Sequence, residues 1–315
     1  MVTVGIVGFG EVGEALARDL LGRDATPRVL ETRPGTQATT GRASALGLSV
    51  DRDPERFGAE VGLVVVVVPA SEAPATARAV APHLAPHVVY TDWTAKSPAV
   101  RDEIAVTCAG RRFADVAITD TVTWAGAPVE LLVSGPGARD LAAVLDGSRF
   151  RANVIDEAVP RSSEIKLCRS AFTKGLSALM LESFVNAERL GVLDVVDDGL
   201  SRFLGEAYPR LRDLVVGTAV QHAARRATEM ADAAAILTAT LGHAPMTTAS
   251  RDVLATLVAV RRAQGPTGAQ TWREVVELLD AADVFATAGA RANELHEPAD
   301  GGGPLDDDRS RPCTS

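Results

Sequence analysis

The chain has 315 residues, of which 46% are hydrophobic and 23% charged, and a net charge of −9 at pH 7. This is the composition of a folded globular protein with room for two domains. The acidic balance and the lack of a basic run argue against nucleic acid and anionic membrane surfaces as partners. Cys108, Cys168 and Cys313 are odd in number and widely spaced, so neither a disulfide framework nor a metal site is expected, and a reducing cytoplasm is the expected compartment.

A strand is expected at Val2–Val7, with no basic and cleavable apolar segment ahead of it, so no signal peptide is expected. It runs into Gly8-Phe9-Gly10-Glu11-Val12-Gly13, and a helical stretch follows to about residue 22. Such a strand-to-helix turn seats a dinucleotide pyrophosphate on the N–H groups of the helix N-terminus. Gly8 permits the turn, Gly10 the approach of backbone to phosphate, and Gly13 the packing of helix on strand. Residues 8–13 are therefore the candidate cofactor loop.

Further strands are expected at 28–31, 62–68, 88–91, 113–118 and 130–134, with a helix at 73–84 among the intervening segments. The apolar run around the five valines at 64–68 is about eight residues long, far short of the roughly 20 that span a bilayer. Near-continuous apolar strands imply burial on both faces, so residues 1–161 read as a doubly wound α/β Rossmann domain with a parallel sheet. Its ligands belong beyond the carboxyl ends of the strands. Glu31 ends the second strand, where a carboxylate binds the ribose hydroxyls of NAD and repels the 2′-phosphate of NADP; Arg33 is placed to bind that phosphate. NAD is favoured over NADP. Pro69 is expected at the cofactor, and Thr94 and Lys96, in Asp92-Trp93-Thr94-Ala95-Lys96-Ser97-Pro98, at cofactor or substrate. Thr94 is a candidate hydroxyl donor to a substrate carboxylate or carbonyl, and Lys96 a candidate to neutralise an anion.

Residues 162–190 then read as one long helix, with Ser162 or Ser163 as its cap. Helices are also expected over 196–216, 218–241, 247–264 and 270–294, with Pro209 interrupting or starting one of them. An all-helical second domain over 162–298 is followed by a polar, glycine-rich tail, 299–315, that is expected to be disordered.

The glycine-rich start, Asp92-x-x-x-x-Ser97-Pro98 and the block around Lys166 together resemble the β-hydroxyacid dehydrogenase superfamily, which includes 6-phosphogluconate and 3-hydroxyisobutyrate dehydrogenases. A narrower resemblance is to phosphogluconate-dehydrogenase-like NAD-binding proteins with a distinct C-terminal domain. It is carried by Phe113 to Ile118, Pro128 to Pro136, Glu164 to Gly175, Glu182 to Gly191 and Arg225 to Met230, and it spans most of residues 1 to about 260.

The resemblance implies reversible hydride transfer between nicotinamide and a hydroxyl-bearing carbon, a homodimer, and Lys166 as general acid/base on the interdomain helix. The chemistry independently requires a group that exchanges the hydroxyl proton. Lysine's free pKa near 10.4 is too high for this, and partial burial would lower it. Ser170 shares a helix face with Lys166 and is a candidate to orient the amine or a substrate hydroxyl; Lys174, further along, is a candidate for holding a substrate anion. Where many relatives have asparagine four residues after the lysine, this chain has Ser170; where many have Ser-Gly-Gly, it has Thr119-Asp120-Thr121. Thr119 and Asp120 are thus expected at an altered substrate pocket, which Trp124 lines or underpins. His222, Arg225 and Arg226 either reach an anionic substrate or form a salt-bridged surface.

Three functions are open at this level. The first is an NAD(P)-dependent oxidoreductase acting on a small polar hydroxyacid or its keto form. The second is imine reduction on the same fold. The third is a nicotinamide-binding regulatory protein without turnover, against which the retained lysine argues.

Overall fold

The structure is a computed structural model that describes residues 2–33, 37–94, 96–119, 128–158, 160–265 and 270–285. The tail expected from residue 299 lies outside the described residues. Eight strands form one sheet: β1 (Val2–Val7), β2 (Ala25–Leu30), β3 (Val50–Asp51), β4 (Leu63–Val66), β5 (Val89–Asp92), β6 (Arg112–Ile118), β7 (Val129–Ser134) and β8 (Phe150–Asp156). Their order is β3-β2-β1-β4-β5-β6-β7-β8, and every neighbouring pair is parallel except β6 with β7. The strand order therefore switches direction between β1 and β4, where such sheets bind ligands beyond their carboxyl ends.

Six helices cover the two faces: α1 (Glu11–Leu20), α2 (Gln37–Ser44), α3 (Pro54–Glu60), α4 (Ala73–Val80), α5 (Pro98–Thr107) and α6 (Ala138–Val144). On one face Leu16, Leu20, Ala43 and Leu141 from α1, α2 and α6 pack on Val4, Ile6, Leu63, Val65 and Val116. On the other, Phe57, Ala77, Val80 and Ile104 from α3, α4 and α5 pack on Val7, Leu30, Val64, Val66 and Tyr90. Every residue of β4 and β5 is buried; β4 reads as an unbroken apolar run, whereas β5 ends in the buried polar pair Thr91 and Asp92.

Two strands escape the sequence pattern. β3 has only two residues. β8 is an edge strand whose residues alternate between more and less exposed, Phe150, Ala152 and Val154 packing inward. One-sided burial leaves no continuous apolar run to notice. The return of β7 against β6 is likewise a departure from an all-parallel sheet.

From Ser162 the chain is helical: α7 (Ser162–Arg189), α8 (Leu193–Leu204), α9 (Tyr208–Arg212), α10 (Ala223–Leu241), α11 (Pro245–Gln264) and α12 (Trp272–Ala281). α7 has 28 residues and is about 42 Å long at 1.5 Å per residue. Its later part supplies Leu181, Phe184 and Val185 to a third core with Val216, Met230, Leu254, Leu257, Val276 and Leu279. The helical segment expected over 196–216, with Pro209 interrupting or starting a helix, consists of α8, α9 and a π-helical turn, Asp213–Gly217. Pro209, which lacks an N–H to donate, stands in the first turn of α9.

Arg226 closes that π turn. Its guanidinium donates to the carbonyls of Leu214 and Val215, to Ser177 Oγ and to Thr218 Oγ1. Only 7% exposed, it belongs neither to a solvated face nor to a substrate surface. Burial and the neighbouring Arg225 push its pKa down to about 10, with Glu229 opposing. No helix among the described residues is long and apolar enough to cross a membrane.

Candidate active site

The cofactor loop sits at the carboxyl end of β1. Gly8 has φ +95°, and a Cβ there would stand 2.4 Å from the Val67 carbonyl oxygen. A Cβ on Gly13 would stand 2.3 Å from the Gly8 oxygen, so the helix can lie this close to the turn only without a side chain. Nothing lies within 4 Å of a Cβ built on Gly10, and no side chain caps α1. Open space against an uncapped helix N-terminus fits a pyrophosphate. Phe9 points into the core and Val12 packs on it, so both offer only backbone to a cofactor. Glu11 is exposed in the first turn.

Glu31 follows β2 and is 7% exposed. Its carboxylate accepts from Thr39 Oγ1 at 2.7 Å and from the Arg33 N–H at 3.0 Å. The Arg33 guanidinium lies 3.5 Å from Glu31 and 3.2 Å from Glu72. The Glu31 carboxyl and the Arg33 guanidinium therefore lie together at the strand end. Pro69 is exposed at the start of a short turn after β4.

Three expected substrate contacts form hydrogen bonds within the chain. Thr94 donates its hydroxyl hydrogen to Asp92 Oδ1 at 2.6 Å. Lys96 is 1% exposed, and the anions it neutralises are Asp92 at 3.3 Å and Asp115 at 2.9 Å. Burial alone would lower its pKa, but these carboxylates outweigh it and hold the ammonium above its ordinary value. Thr119 donates its hydroxyl to the Glu130 carbonyl at 3.0 Å. Asp120 and Trp124 lie outside the described residues.

The expected serine cap of α7 is also replaced. Arg161 is the N-cap residue and supplies no side-chain bond. The N–H groups of Arg161 and Ser162 donate to Ser134 Oγ on β7, and that of Ser163 to Asp115 Oδ2 on β6. Asp115 and Ser134 are register partners across the antiparallel pair. Carboxylate and hydroxyl oxygens from the sheet therefore satisfy the free donors of the helix end. Asp115 carried a signal in the sequence, as the lone charge in the apolar run Phe113 to Ile118.

Lys166 follows on the first turns of this helix. Half-buried, it makes no hydrogen bond or ion pair among the described residues. Burial pushes its pKa down to about 8; Lys174, Arg225 and Lys96 push the same way, and Glu229 opposes. Ser170, one turn on, is buried and accepts from Lys174 Nζ at 3.0 Å. Lys174 is also 2.7 Å from Glu229 on α10, and Arg225 donates to the other Glu229 oxygen at 2.8 Å. Burial would raise the Glu229 pKa, but Lys174, Arg225 and Lys166 outweigh it and hold the carboxyl below the usual range. Burial with Arg225 and Arg226 lowers His222, while Glu11 on the cofactor loop and Glu229 pull the other way. His222 thus senses charge from both the glycine loop and α10.

Glu229 escapes sequence reasoning because its partner Lys174 is on another helix. The cluster leaves more positive than negative charge, with Lys166, Lys174 and Arg225 facing one carboxylate. A half-buried neutral-capable amine beside excess positive charge suits proton exchange with an anionic molecule.

Two family models match the chain. Residues 3–96 match NADP oxidoreductase coenzyme F420-dependent, and residues 187–257 match a Domain of unknown function (DUF1932). A solved conserved hypothetical protein from Sinorhizobium meliloti 1021 is 28% identical, with 89% of this chain and 96% of that one covered and a TM-score of 0.70. A conserved protein of unknown function, described as structurally similar to 3-hydroxyacid dehydrogenases, is 26% identical, covering 84% and 100%, with a TM-score of 0.64. Mycobacterium tuberculosis 3-hydroxyisobutyrate dehydrogenase, solved with L-serine, is 20% identical over 89% and 99% and shares the fold, with a TM-score of 0.71.

Proposed function

We propose that this chain, a 3-hydroxyacid dehydrogenase-like protein in its fold, is an NAD-dependent oxidoreductase acting on a small anionic β-hydroxyacid or its keto form. The observation that carries this reading is Lys166, a half-buried amine on α7 that makes no hydrogen bond or ion pair among the described residues and whose pKa burial lowers to about 8. Bound nicotinamide would accept or supply the hydride; the chain's own part is the proton. Oxidation of the alcohol carbon releases the hydroxyl proton, and neutral Lys166 Nζ takes it. Reduction of the keto form runs in reverse, with the ammonium donating. Ser170 accepts from Lys174 at 3.0 Å and so holds that ammonium on the helix that bears Lys166. The excess positive charge of Lys174 and Arg225 over Glu229 favours an anion.

The Glu31 carboxylate at the end of β2 favours NAD, because a 2′-phosphate would meet its negative charge. Fluorescence titration tests this: NADH is expected to bind at least about tenfold more tightly than NADPH. The reverse order would make Arg33 the determinant, and no binding of either would remove the oxidoreductase reading.

A homodimer belongs to the same reading. α7 leaves Phe172 and Leu179 exposed and α8 leaves Val195 and Phe203 exposed, large apolar side chains that a second copy would cover. Sedimentation equilibrium is expected to give about twice the chain mass of 32.9 kDa. A single-chain mass at micromolar concentration would end the dimer proposal.

A further inference from the structure

The sheet and the helix that bears Lys166 are joined by a fully buried set of charges. Asp92 and Asp115 are neighbours in register on parallel strands, and the side chains of both are 0% exposed, as is that of Lys96 between them. Two like charges side by side on a sheet repel, and Lys96 compensates one of them. The second negative charge lies at the N-terminus of α7, the positive end of that helix. Both oxygens of Asp115 are committed: Oδ2 accepts the Ser163 N–H at 2.7 Å, and Oδ1 accepts the Ser163 hydroxyl at 2.7 Å and Lys96 Nζ at 2.9 Å. Lys96 also donates to the Thr94 carbonyl at 3.0 Å. One cluster therefore ties the loop after β5 to the first turn of α7.

We propose that Asp115 is a positioning residue, which through Ser163 and Lys96 fixes the first turn of α7 and so the placement of Lys166 against the carboxyl end of the sheet. A buried ion pair does not by itself make a fold more stable than apolar packing would. What this one supplies is geometry, since Ser163 is one helical turn before Lys166. The charges around Lys166 are Glu229 and Arg225 from α10, Lys174 from α7 and Lys96 from the loop after β5. Burial is the largest influence on its amine. Loosening the first turn admits water and returns the amine toward the free lysine value.

The test uses Asp115→Asn and Ser163→Ala in the full chain. Asp115→Asn leaves Lys96 paired one-to-one with Asp92, and the Arg101–Glu164 bond of 2.6 Å still holds α7 to α5. Acylation of Lys166 by acetic anhydride, followed against pH on its own peptide by mass spectrometry, reads the amine's midpoint without any substrate. The expected result is a rise of about one pH unit in Asp115→Asn and a smaller rise in Ser163→Ala. Ser163→Thr, which keeps the hydroxyl, should hold the parent midpoint, and NADH binding should be unchanged in all three. A purely structural role would lower the melting temperature without moving the midpoint. A midpoint that stays or falls overturns the proposal, and Ser163→Ala decides it if Asp115→Asn fails to fold. The proposal rests on Lys166 as the acid/base, and the two are separable. Turnover retained by Lys166→Met removes the acid/base role, whereas the midpoint alone reports whether Asp115 places the amine.

Discussion

Lys166→Met is expected to slow hydride transfer by about 10²- to 10⁴-fold, the usual contribution of a positioned general acid or base, while NADH binding changes less than about twofold. Methionine keeps much of the apolar stem and removes the amine, so the loss is chemical. The pH dependence follows from the lowered pKa of about 8. Oxidation needs the neutral amine, so its rate should rise with pH and level off above about 8. Reduction needs the ammonium, so its rate should be highest below that value and fall above it. Stability has a sign as well. A lysine whose folded pKa lies below its unfolded value costs stability wherever the unfolded chain holds it protonated, because burial disfavours the ammonium. That cost is greatest below about 8 and vanishes as pH rises through the unfolded value near 10.4. Steady-state rates in both directions from pH 6 to 10 check these limbs; a variant with near-parent turnover on an identified substrate would end the acid/base assignment.

Arg226→Met should destabilise the helical part by about 3–5 kcal/mol, lowering its melting temperature by roughly 6–20 °C. The side chain supplies donors to two carbonyls of the π turn and to two hydroxyls, at a site 7% exposed. Removing it leaves buried acceptors unsatisfied where water has little access. The neighbouring Glu229 keeps Lys174 and Arg225 as partners, so the loss reports the π turn and not the acidic group. Urea denaturation of parent and variant measures it. A change below about 1 kcal/mol would mean that the turn is satisfied in another way.

Much of this architecture was legible before any coordinates. The glycine turn stands between an apolar run and an amphipathic helix, and its residues demand it for local reasons: left-handed backbone at Gly8 and close approach at Gly13. The central strands announce themselves because burial on both faces leaves mostly apolar side chains, with Asp92 and Asp115 as buried exceptions. Lys166 stood out through the resemblance of its surrounding block, and its half-burial is a consequence of the long helix that carries it.

What escaped has a common cause. β8 is half-buried, so its pattern is only that of an edge, and β7 turns back antiparallel because of pairing that no local sequence specifies. Thr94, Lys96 and Thr119 have the residue types of ligand contacts, yet their hydrogens go to Asp92, Asp115 and the Glu130 carbonyl.

Local backbone geometry and hydrophobic periodicity are properties of neighbouring residues, so the sequence by itself determined the glycine turn, the buried strands and the long helix, while Lys166 was singled out by resemblance. Asp115 meets Ser163 across 48 positions of chain, and Lys174 meets Glu229 on a different helix. Hydrogen bonds act over about 3 Å of space and are indifferent to distance along the chain. Only the tertiary structure could therefore decide which polar side chains hold the fold together and which amine is left without a partner among the described residues.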